Sequence, residues 1–442
     1  MAAQSARGTR DFLPTDMTRR NRVLGTIREV FERYGFEPLE TPAIERIETL
    51  MGKYGDEGDK LLFRILKRGE GSERGEADMG LRYDLTVPLA RVVAMHHAAL
   101  PQPFKRYQIQ PVWRADRPQR GRFREFFQCD VDVVGTASLV ADAELVAIVH
   151  EALSALGFSG YRIRVNHRGV LRGMIEAMGV APEREGDVLV ALDKLDKVGR
   201  DGVRAELLAR GLGERVADRV DALAASVGVA DGLDVMRDLA TATEAGASGV
   251  RDLEALAAHL QAFAVPAGVV AFDPTLARGL SYYTGPIFEA TLEGFPGSIS
   301  GGGRYDELVG MFLGRRLPST GISLGVERLL AIMEERGMLA GVRTSTELLV
   351  TVWGTDMRPD AIRVATALRA VGLRADLYPD DDKLKKQLKY ADSRGIRHAV
   401  IQGPDERDRG VIAVKDLQTG AQSEVALDAL ADALVPLVRS VI

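Results

Sequence analysis

The chain is nearly without thiols. Cys129 is the one cysteine among 442 residues, so no disulfide can close within the chain and no cysteine-based metal site can form. A long apolar run is also missing. No stretch of about 20 apolar residues occurs, and the opening MAAQSARGTRDFLP has no apolar core of a signal peptide. A cytoplasmic protein with no membrane segment is the expectation. Positive charge is not in excess: the formal net charge is −5, which gives no global basic field. Any contact with RNA then has to come from local patches. No internal repeat or low-complexity segment is evident. Aromatic residues are absent from residues 182–261, where Ala, Leu, Val, Asp and Arg recur in helical periods. What is left is an ordinary composition, 46% hydrophobic, ample for a buried core and long enough for two or three domains.

The densest stretch is residues 104–135, FKRYQIQPVWRADRPQRGRFREFFQCDVDVVG. It reads as two strands joined by a long charged connection, which carries Asp116, Arg117, Pro118, Arg120, Gly121, Arg122 and Arg124. Alternate side chains of a strand share a face, so Gln128, Asp130 and Asp132 lie on one side and Phe127, Cys129, Val131 and Val133 on the other. An amide and two carboxylates beside four arginines suit a substrate that is anionic in one part and rich in N–H donors in another. Arginine matches phosphate or carboxylate, and carboxylates match ammonium or imidazole. An amino acid beside a nucleotide fits. The competing reading is a solvated hairpin whose charges pair among themselves and contribute little. Charge alone favours that second reading.

The order of residues reverses the balance. RADRPQRGRFREFFQCDVD resembles motif 2 of the class II aminoacyl-tRNA synthetases, in the form found in the histidyl family. Upstream, residues 16–34 form an amphipathic helix whose stripe is Val23, Leu24, Ile27, Val30, Phe31 and Tyr34, stopped by Gly35. Residues 36–41 read as a strand, broken by Pro42. Helix, strand and proline in this order resemble motif 1, which implies a homodimer interface; by itself such a helix is more often simply core. Residues 56–77 read as a short strand followed by a mobile loop whose charges are a solvated face.

In LRYDLTVPLARVVA, residues 81–94, a short strand over 81–85 leads into a helix opened by the Val-Pro pair. Asp84 and Thr86 then share a strand face and could accept from an ammonium group. The structural alternative is that Thr86 caps the helix. LRYDLTVP resembles the histidyl family, where the two positions hold the substrate α-amino group. His96 and His97 are read as surface residues rather than metal ligands.

Residues 269–290, VVAFDPTLARGLSYYTGPIFEA, place Arg278, Tyr282 and Tyr283 between two strands. A cation beside two tyrosines suits an aromatic ligand that bears a carboxylate, although a packed tyrosine pair with a surface arginine is the commoner outcome. Leu-x-Arg-Gly-Leu-x-Tyr-Tyr-Thr-Gly resembles a signature of the histidyl family, with one departure: Ser281 stands where Asp is usual. SISGGGRYDEL, residues 298–308, has three glycines that let backbone approach a ligand. It is no P-loop, because no Gly-Lys-Ser/Thr follows. GISLGVERLLAIM, residues 321–333, runs from strand into helix with Arg328 at the helix start, and resembles motif 3.

After a plausible linker over 335–346, strands over 348–353 and 373–377 each precede a helix, and strands over 398–402 and 411–415 are followed by a final helix from Leu427, a pattern that argues a mainly parallel sheet. Lys383, Lys385, Lys386, Lys389, Arg394 and Arg397 gather on and after one helix. They form a patch that could steer a phosphate backbone, or a solvated face.

The resemblance implies an α+β fold: a class II antiparallel catalytic sheet with helices over residues 1–340, a helical insertion over 182–261, and an α/β anticodon-binding domain over 346–442. It implies ATP-dependent ligation of L-histidine to tRNA(His) through a histidyl-adenylate, with ATP as substrate and Mg²⁺ assisting. Arg114 and Arg278 would be catalytic, neutralising charge at the α-phosphate and the carboxylate. Arg122 and Arg328 would hold the distal phosphates, and Gln128 would orient the amino acid backbone. Asp84 and Thr86 would hold its ammonium, Asp132 and Tyr283 would read the imidazole, and Tyr282 would wall the pocket. The insertion would contact the tRNA acceptor region. One rival is a non-catalytic, histidyl-synthetase-like regulatory subunit of ATP phosphoribosyltransferase, which shares the catalytic fold but typically lacks the C-terminal domain. The other is a class II synthetase for proline, threonine or glycine.

Overall fold

The computed structural model describes residues 3–53, 58–119, 121–228, 231–278 and 282–439. The chain divides into two compact units, one of residues 3–10 with 23–335 and one of residues 11–22 with 336–439. Gly279, Leu280, Ser281 and Arg120 fall outside the described residues, so the Ser281 departure has no structural reading.

The first unit is built on an eight-stranded sheet. Its strands are β1 (Glu37–Pro38), β5 (Phe104–Trp113), β6 (Glu125–Val134), β7 (Tyr161–His167), β8 (Val270–Phe272), β9 (Pro286–Leu292), β10 (Phe295–Arg304) and β11 (Ser319–Leu324). The spatial order is β1-β5-β6-β11-β10-β9-β7-β8. The six inner strands pair antiparallel, and each edge strand pairs parallel to its neighbour. A small antiparallel sheet packs β4 (Ala77–Leu81) between β2 (Ile44–Arg46) and β3 (Arg64–Leu66).

The first long helix spans Pro14–Arg33, with Val23, Leu24, Ile27, Val30 and Phe31 buried and Tyr34 half-buried, as the stripe predicts. Gly35 ends the turn at φ 75°, a conformation that glycine adopts without penalty. The strand expected over 36–41 shrinks to two residues. Pro38 and Pro42 have no N–H to give a ladder, so pairing with β5 stops at once. The strand expected over 81–85 is likewise displaced. Pairing covers Ala77–Leu81, and the helix Thr86–His96 begins where Pro88 can sit in its first turn. The charged loop pairs within itself, Lys67 with Glu76 at 3.1 Å and Arg74 with Glu76 at 2.7 Å.

The described residues of 182–261 are mainly helical: Glu185–Leu192, Leu195–Ala209, Glu214–Ser226, Gly232–Ala240 and all but the last residue of Glu244–Ala262. The last of these packs on helices Leu139–Ala155 and Arg168–Ala177. The approach is close, since a Cβ on Gly173 would strike Gly246 and Thr243.

The second unit holds a sheet of β12 (Leu348–Val350), β13 (Ala375–Leu377), β14 (His398–Ile401), β15 (Val411–Asp416) and β16 (Gln422–Ala426), in the order β13-β12-β14-β15-β16. It is mixed rather than mainly parallel. Only the pairs around β12 are parallel, because β14 returns to β15 through the short helix Pro404–Asp408 and β15 to β16 through a turn, connections too short for a parallel crossover. Its core gathers Leu348, Val350, Val364, Leu368, Val400, Ile412 and Leu434. Buried Gln387 ties helix Leu384–Arg394 to Val352, accepting from its N–H at 2.9 Å and donating to its carbonyl at 2.7 Å. Among the described residues no helix is long and apolar enough to cross a membrane.

Candidate active site

The site grows out of the register of one hairpin. On β5 and β6, Arg106 faces Asp132, Gln108 faces Asp130 and Gln110 faces Gln128. All six lie on one side of the sheet, since alternate residues share a face. The row runs on across the sheet: Asp130 is opposite Ser323, Ser323 opposite Gly301, Gly301 opposite Glu289 and Glu289 opposite Arg164. Beside it, Asp132 is opposite Gly321, and Gly321 opposite Gly303.

The glycines explain how charged groups fit above a sheet. A Cβ at Gly321 would collide with the Asp132 carboxylate, and one at Gly301 with the Arg278 guanidinium. The glycine run was expected to let backbone approach a ligand. Its space at Gly301 is taken by the protein's own Arg278, and Gly302 is pressed against the Gly321 carbonyl of the neighbouring strand. Gly302 therefore serves strand packing rather than the pocket.

Asp132 is held from two sides. Tyr305 donates to Oδ1, and Arg106 Nη2 stands 3.0 Å from Oδ2. Arg106 is fully buried, and its Nε and Nη1 have no hydrogen-bond partner among the described residues. The carboxylates thus answer to Arg106 across the strand pair and not to the arginine-rich connection. There, Arg122 pairs with Asp116 at 3.0 Å, and Arg124 donates to the Asp116 carbonyl at 3.0 Å. The register puts Arg106 directly across from Asp132, whereas the connection lies past the far ends of the strands. Burial, against the pull of Arg106 and with the added repulsion of Asp132, pushes the Asp130 carboxyl up to about 7. Burial also raises Asp132.

The second segment meets the first through Tyr305. The Tyr282 ring lies 4.8 Å from Tyr283 and 6.1 Å, edge-on, from Tyr305, which donates to Asp132. Burial pushes Tyr282 and Tyr305 well above the usual phenol range and raises Tyr283. All three keep their protons at neutral pH and can donate or accept. Arg278 Nη1 binds Glu289 Oε2 at 2.6 Å. Burial opposes the Arg278 charge, but Tyr283 and Glu289 outweigh it and hold the group above the ordinary value.

A third set is cationic. Arg114 donates from Nε to the Tyr83 carbonyl at 3.0 Å, and its guanidinium lies 4.3 Å from the Tyr83 ring and 5.1 Å from Phe126. Arg328 donates to the Ser298 carbonyl. Burial lowers its affinity for a proton, and the charges of Arg278, Arg122 and Arg114 lower it further. Four guanidiniums that repel one another across shared space are relieved by an anion.

Asp84 and Thr86 do not share a strand face. Asp84 Oδ1 accepts from the Val87 N–H at 3.1 Å and so caps the helix, while half-buried Thr86 is its first residue. The capping alternative raised for Thr86 belongs to Asp84 instead. The Asp84 charge still reaches the pocket, raising both Tyr282 and Asp130. Gln128 directs Nε2 toward Asp130 and Ser323 at 3.4 Å each, and its buried Oε1 has no hydrogen-bond partner among the described residues. His96 is exposed and His97 half-buried beside Gln102.

Two cavities flank these groups without enclosing them. One of about 830 Å³ touches the candidate residues only at Tyr283. Another, of about 660 Å³, is lined by Arg164, Asp196, Asp273, Glu289 and Ser298. Reading the sequence missed Arg106, Tyr305 and Glu289. The first was recoverable: pairing the hairpin ends, Phe104 with Val134, sets Arg106 opposite Asp132.

A family model described as histidyl-tRNA synthetase matches residues 8–329, and one described as an anticodon binding domain matches residues 347–437. A histidine–tRNA ligase of Gloeobacter violaceus is 44% identical, with 98% of each chain covered. One from Cytophaga hutchinsonii is 42% identical over 97% of this chain and 98% of its own. The crystal structure of histidyl-tRNA synthetase from a Nostoc species superposes with a TM-score of 0.86 at 33% identity, covering 100% of this chain and 99% of that one.

Proposed function

The chain belongs to the histidyl-tRNA synthetase family, and from that premise we propose how its pocket works: it joins L-histidine to tRNA(His) at the expense of ATP. In the first step a histidine carboxylate oxygen attacks the α-phosphorus of ATP, the bond to the bridging oxygen breaks, and pyrophosphate leaves. In the second, a hydroxyl of the terminal tRNA ribose attacks the adenylate carbonyl. AMP leaves, and the hydroxyl proton goes to solvent.

The observation that carries this reading is the meeting of two chemistries on one sheet face. The guanidiniums of Arg278, Arg122 and Arg114 press on Arg328, and next to them a tyrosine pair faces a carboxylate fixed by Arg106 and Tyr305. Arg114 and Arg278 neutralise charge on the α-phosphate and the histidine carboxylate as it attacks, and Arg122 and Arg328 hold the distal phosphates. Gln128, whose buried Oε1 has no hydrogen-bond partner among the described residues, orients the amino acid backbone, and Asp84 and Thr86 take the ammonium. Asp132 and Tyr283 read the two imidazole nitrogens, with Tyr282 as a wall. Placement and preorganised charge carry the chemistry.

Magnesium enters as part of the nucleotide. Mg²⁺ keeps several waters and is usually held through phosphates and one or two carboxylates. No group of three or more His, Cys, Asp or Glu that could hold a metal occurs among the described residues, which suits an ion carried on ATP. The protein acts in the cytoplasm as a homodimer formed through the first helix and strand; sedimentation of the purified chain as a monomer at micromolar concentration would refute the dimer. The regulatory-subunit alternative is weaker. Its structural likeness, a Bacillus halodurans protein at 23% identity and a TM-score of 0.71, speaks for the fold alone. The anticodon-binding match over residues 347–437 argues for a tRNA substrate. Histidine-dependent charging of purified tRNA decides between them: charging with histidine alone among the amino acids is expected, and none at all would overturn the reading.

A further inference from the structure

Arg278 does not stand free in the pocket. It lies over Gly301, the only position in that row where a missing side chain makes room for it, and Glu289 anchors it from the next strand. Glu289 is itself shared. Its Oε2 takes Arg278 Nη1 at 2.6 Å, and its Oε1 faces Arg164 Nη1 at 3.2 Å. Arg164 is the directly opposed residue on β7. The same Arg164 Nη1 reaches Asp196 Oδ2 at 2.7 Å, and Nε binds buried Asp273 at 2.7 Å. Asp196 belongs to helix Leu195–Ala209, within the helical stretch that interrupts the sheet. All four groups line the cavity of about 660 Å³ between that helix and the sheet.

We propose that Glu289 is the positioning residue for Arg278, and that Asp196 tunes it from the helical insertion by competing for Arg164. The inference rests on the reading of Arg278 as the group that neutralises the attacking carboxylate. Asp273 pins the Nε side of Arg164, so its Nη1 has two carboxylates to serve. When Asp196 is seated, it draws that donor and leaves more of the Glu289 charge to Arg278. When the helix lifts, Arg164 turns its donor wholly to Glu289 and the hold on Arg278 weakens. Two-thirds of the Asp196 side chain is exposed, whereas Arg164 and Glu289 are mostly buried. The outer contact is therefore the one that movement breaks first. Placement of the insertion is thereby transmitted to the reacting centre through three salt bridges, with no rearrangement of the sheet backbone.

The test is histidine-dependent pyrophosphate exchange by the full chain and its variants. Glu289→Gln keeps the shape and removes the charge. It should lower kcat about 10- to 100-fold, the scale of a misplaced catalytic group, while the KM values for ATP and histidine change little. Asp196→Ala should lower kcat about two- to five-fold, the scale of an exposed ion pair, and should have no effect in the Glu289→Gln background. A merely structural role would instead change urea stability and leave the kcat-to-KM split untouched. Unchanged kcat in Glu289→Gln, or single effects that multiply in the double variant, would overturn the proposal. Absence of exchange by the unaltered chain would refute the functional reading itself, so the two failures are distinguishable.

Discussion

The two units treat charge in opposite ways. In the first, Arg106, Asp130, Asp132 and Glu289 are laid against a sheet, mostly buried, each fixed by a cross-strand neighbour. In the second, Lys383, Lys385, Lys386 and Lys389 stand exposed on one helix end. Among the described residues only some of that patch is answered by an ion pair: Lys386 by Asp382 at 2.8 Å, Arg394 by Asp376 at 3.3 Å and Arg397 by Asp416 at 2.8 Å. A buried charge has to justify its desolvation through a defined partner, so its geometry says what it does. An exposed lysine costs nothing to place and says little until a polyanion arrives.

That contrast can be broken at several points. The largest effect is expected at Arg278. Arg278→Ala should cut turnover about 10²- to 10³-fold, the scale of losing one preorganised charge, with ATP affinity by calorimetry nearly intact. A large loss of ATP affinity would move Arg278 from catalysis to binding. Next comes Gly301→Ala, which adds one methyl group where the Arg278 guanidinium lies. Turnover should fall about 10- to 100-fold with little change in urea midpoint, since the flexible arginine tip yields before the strand does. Asp132→Asn should raise the KM for histidine about 10-fold or more, the scale of a hydrogen bond to a charged group, and the KM for ATP far less. Equal effects on both substrates would remove Asp132 from the imidazole pocket.

The exposed unit should respond differently in kind. The double change Lys385→Ala with Lys389→Ala should raise the KM for tRNA a few-fold, flatten its salt dependence by about two phosphate contacts, and leave pyrophosphate exchange unchanged. A salt slope equal to that of the parent would make this a solvated face. The smallest effect concerns stability. Asp130 holds its proton in the folded state up to about 7, against ~3.9 unfolded. The folded state therefore binds more protons than the unfolded state between those values, and stability falls as pH rises through the window. Asp130→Asn should flatten urea midpoints measured from about pH 4 to pH 7.

How much of this could be read beforehand depends on periodicity and on register. The stripe of the first helix is local and emerged as expected; the ladder likewise sets Gln128, Asp130 and Asp132 on one side of β6, although residues 129–134 are buried on both faces. The strand limits at Glu37–Pro38 and Ala77–Leu81 are set by which N–H groups find a partner, which residue type alone does not state. The C-terminal sheet departs from the mainly parallel expectation for the same reason: β14, β15 and β16 pair antiparallel, and only the two pairs around β12 are parallel. Within the site, residue type and order pick out the candidate side chains one by one, but not which of them meet. Tyr305 and Glu289 were missed, because each matters through a contact set by strand register: Tyr305 meets Asp132, 173 residues away, and Glu289 faces Arg164 across the β7–β9 ladder. Helix capping, offered as the alternative reading of Thr86, falls to Asp84 two residues earlier, since both side chains can cap and only the turn geometry distinguishes them.

A crystal structure of the full chain with L-histidine bound tests the central claim most directly. The imidazole should lie between Asp132 and Tyr283 against the Tyr282 ring, with the carboxylate turned toward Arg114 and Arg278. Histidine bound in either flanking cavity, with Asp132 still closed onto Tyr305 and Arg106 and no contact to the ligand, would contradict it.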